Sequence, residues 1–354
     1  MTLRSLPGLR GFGERLHALK AKLRALRTAM NIVSDAGSAF VTAALPDGTP
    51  YHLSIDPTQR DAYHEAVSAA ALQDATWSFL LGWLRPDDVF FDLGANIGTI
   101  SIPAAFRCRR VHAFEMLAEN IVHLRRALER NRLGNIAIVQ AAVSDTPGLV
   151  GVIGSSAWGV VVAEATLSVP TVVIDDYVRL RGITSVNVMK IDIEGSEQRA
   201  LAGAAALIAR DHPDIIIECN SVTCGNSGYS YRDLLRRIRD FGYTVYRIQA
   251  DHLCPWPEAA VQELVYADYL ATVKDAATIA ARSGRNIVAM TDAETIAGIV
   301  SAAQYDDAWR MHVLAVADRL PGAALADQRV QALLYEWAPL ASNPAMAALR
   351  DGTA

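Results

Sequence analysis

The chain has 354 residues, of which 51% are hydrophobic and 20% charged, a balance that excludes an intrinsically disordered or fibrous polypeptide. A formal net charge of −5 gives no global electrostatic reason to expect nucleic-acid binding. The four cysteines (Cys108, Cys219, Cys224 and Cys254) make no C-x-x-C pair and no zinc spacing, so reduced thiols are expected, with Cys219 and Cys224 the one pair worth a redox test. No signal peptide is visible. The least charged long stretch, Thr146 to Ala163, is broken by Pro147 and four glycines, so a soluble cytoplasmic protein is expected.

Leu16, Leu19, Leu23, Leu26 and Met30 recur at helical spacing, and basic residues cover the remaining faces of a helix over 14–30. Such a helix packs on the body or on a second subunit, or lies on an anionic membrane surface. A peripheral membrane contact through 14–30 and a homo-oligomer are therefore partner expectations, whereas nucleic acid is not. Pro46-Asp47-Gly48-Thr49 predicts a hairpin within Phe40 to Ile55, and helix is expected over 60–84, with Leu72, Phe79, Leu80 and Leu84 facing inward.

From residue 85 the pattern becomes strand–helix alternation. Val89 to Leu93 reads as a buried strand, followed by a glycine turn, Gly94-Ala95-Asn96-Ile97-Gly98, and a helix start. Strands follow at Val111 to Glu115, Asn135 to Val143, Val186 to Ile191, Asp214 to Ile217, Tyr243 to Ile248 and about 267–273. Irregular β-like pieces are expected over 149–174, a helix over 196–209, and a helix opened by a capping box at Ser230-Tyr231-Arg232-Asp233 that stops at Gly242. The tail carries helical patterns at 292–303, 307–320 and 327–337. Together these elements predict an α/β fold with a doubly wound, mostly parallel sheet. Three parts are expected: an N-terminal helix and hairpin over 1–84, the α/β domain over 85–275, and a helical extension over 276–354.

In an open parallel sheet, ligands bind beyond the carboxyl ends of the strands. Here successive strand ends carry Asp92, Glu115, Asp145, Asp192 with Glu194, and Glu218. An edge so rich in carboxylates suits a cationic or hydroxyl-rich ligand better than a bare pyrophosphate. The glycine turn also departs from G-x-G-x-x-G. An acid at the end of the second strand, Glu115, can hold a ribose diol. Ribose and positive charge without a phosphate clamp point to S-adenosylmethionine.

Asp92-Leu93-Gly94-Ala95-Asn96-Ile97-Gly98, Ala113-Phe114-Glu115, Ala141-Ala142-Val143-Ser144-Asp145 and Lys190-Ile191-Asp192-Ile193-Glu194-Gly195-Ser196-Glu197 together resemble the FkbM family of S-adenosylmethionine-dependent methyltransferases. The resemblance covers about 85–275, and Met116 stands where the family usually has proline. It implies a class I methyltransferase fold, Rossmann-like, with seven strands and the last antiparallel. It also implies O-methylation, commonly of sugar or polyketide-type hydroxyls. Gly94, Ala95, Asn96 and Gly98 would then form the cofactor turn, and Asp92 would contact or orient the amino-acid end of the cofactor. Glu115, with Met116 beside it, would bind ribose, and Ser144 and Asp145 would lie near adenine.

Methyl transfer to a hydroxyl needs alignment with the S–CH3 bond and a way to remove the hydroxyl proton. Asp192 is the first candidate base and a cofactor neighbour, and Glu194 and Glu218 are the others. The same carboxylates could instead hold Mg2+. Glu194 and Glu197 also fall near a helix N-terminus, where acids are stabilised in any case. His112 and His212 are expected to be boundary histidines. Trp158 either lines the acceptor pocket or packs. Two other readings are an NAD-dependent oxidoreductase or epimerase on a Rossmann-like fold, and a non-catalytic cofactor-binding interaction module.

Overall fold

A computed structural model describes residues 39–58, 67, 74–153, 160–162, 167–256 and 266–289. Outside these fall the expected helix at 14–30, most of the expected helix at 60–84 with Leu72, Trp158, and the three helical patterns of the tail. Residues 38–290 form one compact unit.

The expected hairpin is formed by antiparallel strands β1 (Ala39–Ala44) and β2 (Pro50–Ile55), with Ala44 opposite Pro50. Helix α1 (Ala75–Trp83) starts at Asp74, whose carboxylate accepts the Trp77 N–H and so satisfies one of the free amides of the first turn.

The main sheet has nine strands in the order β15-β13-β12-β14-β11-β10-β3-β4-β5. The four strands β10 (Val188–Ile191), β3 (Val89–Leu93), β4 (Arg110–Glu115) and β5 (Ile136–Gln140) run parallel, as does β11 (Asp214–Asn220) beside β10. Strand β14 (Tyr266–Thr272) is inserted antiparallel between β11 and β12 (Thr244–Ile248). The sheet is mostly parallel as the alternation predicts, and it has nine strands rather than the seven that the family resemblance implies; within it β14 is reversed against both of its neighbours. Two short strands, β13 (His252–Pro255) and β15 (Asn286–Ile287), extend the β12 edge. They were not expected, because each is too short to carry a period-2 pattern.

Alternation along the strands divides the core. Phe90, Val111, Ala113, Val188, Ile216 and Leu270 face one layer with Trp77, Phe79 and Leu80 of α1 and with Leu124 of α3 (Ala118–Arg130). The hairpin joins this layer, and the His52 N–H donates to Asn131 Oδ1 at 2.8 Å. Phe91, Leu93, Met189, Ile191, Ile215 and Ile217 face the other layer, which is closed by α4 (Ile174–Arg181), α5 (Glu197–Gly203), α6 (Ala205–Asp211) and α8 (Tyr231–Asp240). The single helix expected over 196–209 is therefore two, broken at Ala204. The α8 capping box is formed as expected: Ser230 Oγ accepts the Asp233 N–H, and the Asp233 carboxylate accepts the Ser230 N–H.

The expected third strand, Asn135 to Val143, is interrupted at Ala141. Its second part, β6 (Ala142–Val143), leaves the main sheet and joins β7 (Leu149–Ile153), β8 (Val160–Val162) and β9 (Leu167–Val172) in a separate four-stranded sheet, ordered β6-β9-β7-β8.

The amino end of the main sheet is closed by buried ion pairs. Asp214 is 1% exposed and accepts from Trp83 Nε1 at 2.9 Å, Thr272 Oγ1 at 2.6 Å and Lys274 Nζ at 2.9 Å. Arg282, on α9 (Ala276–Ser283), pairs with Asp88 at 2.9 Å and lies over the Trp83 ring. Removing Asp214 would leave three donors unpaired, two of them in the interior. Asp214→Ala is expected to lower unfolding free energy by about 3–5 kcal/mol, the usual cost of breaking a buried pair on one side. Urea denaturation of Asp214→Ala beside Asp214→Asn measures this, since the amide keeps one acceptor and should lose less.

Candidate functional site

The carboxyl ends of β3 and β10 are brought against each other by their own loops. Gly94 has φ +90°, and a Cβ built there would lie 1.8 Å from the Asp192 carbonyl oxygen, so the backbones touch at a point only glycine allows. Asn96 also takes a left-handed conformation, at φ +51°, and its own Oδ1 accepts the Ile97 N–H at 2.7 Å.

The amides of this turn are already occupied. Gly94 N and Ala95 N donate to the Phe114 carbonyl, Asn96 N to Glu115 Oε2 at 2.8 Å, and Gly98 N to the Ala95 carbonyl. With Ile97 N taken by Asn96, residues 94–98 present no spare N–H to an anion. The turn is therefore not the amide cradle that a dinucleotide pyrophosphate requires. That counts against the nicotinamide reading.

Glu115 is 7% exposed and ties the turn to the next helix, because Oε1 accepts the Leu117 N–H at 2.8 Å while Oε2 holds Asn96. Burial raises its carboxyl pKa, and the Leu117, Asn96, Asn120 and Met116 hydrogen bonds oppose that rise. Met116 packs on the small apolar cluster of Leu117, Ala142, Val152 and Val169. Asp92 is fully buried. Its Oδ2 accepts from Ser101 Oγ at 2.5 Å, at the start of α2 (Ser101–Ala105), and its Oδ1 has no protein partner. In this position Asp92 orients the loop rather than lining a surface.

Asp145 does not end a strand of the main sheet. The main-sheet strand β5 ends at Gln140, and Asp145 follows β6 of the second sheet, where it is exposed. Ser144 is buried beside it, with Oγ 3.2 Å from Asp145 Oδ1.

The remaining acids gather around one buried cation. Lys190 is opposite Asp92 in the β10–β3 register, and its Nζ lies 2.7 Å from Asp192 Oδ2. Burial alone would lower the Lys190 pKa, but Asp192, Asp92 and Asp268 outweigh it and raise the pKa above the usual lysine range. Asp192, Glu194 and Glu218 each offer an oxygen within 4.8 Å of the other two. Glu218 does not end its strand as expected: β11 continues to Asn220. Glu218 is directly opposite Asp268 on β14, and Asp268 accepts from Thr76 Oγ1 at 2.6 Å.

Burial and the charges of Asp192 and Glu197 push the Glu194 carboxyl up to about 8. Its Oε2 is buried without a partner, and its backbone is left-handed at φ +49°. Burial, followed by Asp192, Glu194 and Asp268, raises Glu218 well above the carboxylate range. Burial also pushes Asp268 up to about 7. Among the described residues this cluster thus holds more carboxyls than Lys190 can neutralise, and it keeps protons or takes up positive charge.

Sequence reasoning missed Asp268 and gave Lys190 no role. Asp268 lies near the start of its strand, and because β14 is reversed the start of that strand lies at the carboxyl edge of its neighbours. A search of strand ends overlooks such a residue. The histidines are elsewhere. His112 lies among Phe91, Phe114 and Tyr177, with burial pushing it down to about 4, and His212 caps α6 on the exposed surface. All four cysteines are free and buried, and burial pushes the Cys108 and Cys224 thiols up to about 12.

The raised Glu194 pKa has a stability consequence with a definite sign. Between the ordinary value of 4.5 and about 8 the folded chain holds a proton that the unfolded chain releases. The folded state then binds more protons, and its stability falls as pH rises through that window. Glu194→Gln removes this loss. The variant is expected to gain on the wild type between about pH 5 and 8, as read from urea midpoints. An equal difference at both ends of the range would contradict the assignment.

Residues 92–245 match the family described as methyltransferase FkbM domain. The 31-O-demethyl-FK506 methyltransferase FkbM of Streptomyces tacrolimicus is 30% identical over 158 residues, covering 34% of this chain and 60% of that one. Among solved structures, methyltransferase FkbM from Methylobacillus flagellatus KT is 20% identical, with a TM-score of 0.38 over 55% of this chain and 47% of that one. An rRNA methylase from Streptococcus thermophilus is 11% identical, with a TM-score of 0.36 over 56% of this chain and 95% of that one. The chain therefore spans 60% of the length of the curated relative it matches. The matched residues 92–245 contain the glycine turn, Glu115 and the Lys190–Glu197 loop.

Proposed function

We propose that this chain transfers a methyl group from S-adenosylmethionine to a hydroxyl of a sugar, a glycan, or a glycosylated or polyketide natural product. The observation that carries the reading is the meeting of two loops: a turn with no spare amide for phosphate, and an acidic floor under-neutralised by Lys190. A ligand with a ribose diol and positive charge suits both. The match of residues 92–245 to a methyltransferase domain supports the same reading, and the relative from Streptomyces tacrolimicus is by its name an O-methyltransferase.

In this reading Glu115, at the end of β4, accepts the ribose hydroxyls. Asp92 and Ser101 fix the turn beneath the amino-acid end. The cofactor supplies a methyl group already activated on sulfonium, so the protein's task is to align the acceptor oxygen and to take its proton. Asp192 is the first base, since Lys190 holds one of its oxygens and leaves the other available. Glu194 and Glu218 receive or return the proton. Asp192, Glu194 and Glu218 also form the set that would hold Mg2+, and a hard cation there would polarise the acceptor hydroxyl.

Titration calorimetry with S-adenosylmethionine tests the first step. Glu115→Ala and Asp92→Ala are expected to weaken binding by at least about tenfold, as befits loss of hydrogen bonds to a charged group. Absence of binding to the wild type would sink the proposal. Labelled cofactor offered with nucleotide sugars, glycolipids and polyketides, with and without EDTA, identifies the acceptor class. Turnover unaffected by EDTA assigns the proton to the carboxylates alone.

A further inference from the structure

Glu197 opens α5, yet its carboxylate points back into the loop that precedes it. It is 2% exposed, and Oε1 accepts the N–H groups of Gly195 at 3.0 Å and Ile193 at 3.3 Å. Oε2 accepts the Tyr229 hydroxyl at 2.6 Å, and that hydroxyl also lies 3.1 Å from the Gly195 carbonyl oxygen. Tyr229 follows α7 (Ser221–Asn226), on the segment between β11 and α8. That segment abuts the same loop: Gly195 has φ +99°, and a Cβ there would meet Ser227 Oγ at 2.3 Å and the Thr223 carbonyl oxygen at 2.7 Å. Burial, together with the neighbouring Glu197 charge, raises the Tyr229 pKa, so the phenol stays protonated and donates.

A buried carboxylate that accepts two amides and a phenol from two different elements is a brace. The loop itself, with Glu194 at φ +49° and Gly195 at φ +99°, is spanned by a single long turn bond, from the Ser196 N–H to the Ile193 carbonyl at 3.3 Å. Resting on the methyl-transfer reading for what the loop carries, we propose that Glu197 and Tyr229 are positioning residues for residues 192–195. They set the Asp192 and Glu194 carboxylates, and they tie that setting to the α7–α8 segment. Neither acts on the reacting atoms.

Amide hydrogen exchange and cofactor calorimetry on Tyr229→Phe, Glu197→Ala and Glu197→Gln test this. Tyr229→Phe and Glu197→Ala are expected to speed exchange at Ile193 and Gly195 by about tenfold or more, the scale of one charge-assisted bond. Exchange along β10 should not move, and S-adenosylmethionine affinity should fall about threefold or more. Glu197→Gln keeps an oxygen for the two amides and a polar partner for Tyr229, so it should stay within about threefold of the wild type. If Glu197→Gln is as damaging as Glu197→Ala, or exchange rises equally in β10, the pair is structural and the proposal fails. It fails also if exchange at Ile193 and Gly195 is unchanged in Tyr229→Phe, the one-hydroxyl variant that decides the matter should Glu197→Ala not fold. A wild type that binds no S-adenosylmethionine overturns the methyl-transfer reading, while the exchange results still decide whether the brace exists.

Discussion

The carboxyl edge of the sheet depends on one buried ammonium. Lys190 occupies a strand interior where an uncompensated charge would cost several kcal/mol, and it is held there by Asp192 at 2.7 Å and by the charge of Asp92 on the next strand. The compensation is mutual. Without the lysine, two carboxylates at adjacent strand ends would face each other with nothing between them. With it, Asp92 can remain fully buried beneath the glycine turn and Asp192 can project from the end of β10. Further along the edge the balance is broken on purpose or by necessity: Glu194, Glu218 and Asp268 have no lysine of their own, and their carboxyl pKa values rise accordingly.

A second constraint joins this charged floor to the turn above it. The Asp192 carbonyl lies where any side chain on residue 94 would have to go, so the β3 and β10 loops form a single structure. Glu115 extends that structure to β4 by holding Asn96 and Leu117, and Glu197 extends it toward α7 and Tyr229. Two acids of the motifs thus act on backbone amides. The N–H groups of the turn itself are taken by the Phe114 and Ala95 carbonyls, Asn96 Oδ1 and Glu115, which is why its ligand is better sought among cations and diols than among phosphates.

Around this edge the chain varies the plan by insertion. The break at Ala141 sends the chain out of the main sheet into the four-stranded sheet of β6 to β9, and β13 and β15 lengthen the opposite edge. Additions of this kind sit beside the strands β3, β4, β10 and β11 that carry the acids, and acceptor selectivity usually resides in such insertions rather than in a shared core.

The sequence by itself determined the alternation of strands and helices, the hairpin at Asp47-Gly48, the α8 capping box and the sequence segments from which the site is built. Each is a local pattern: period-2 apolar runs, turn residues and a Ser-x-x-Asp spacing are legible because their cause lies within a few residues. What lay beyond it were relations between distant segments. Asp145 reads as one more acid at a main-sheet strand end, but β5 stops at Gln140 and the strand before Asp145, β6, pairs with β9 in the second sheet. Asp268 reads as the start of an ordinary strand, but the antiparallel insertion of β14 sets it opposite Glu218. Glu197 reads as a first-turn acid stabilised by a helix dipole, but the approach of Tyr229 makes it a brace. Strand direction, register and loop contact are set by long-range packing, and only the tertiary structure decided which of the acids share a site.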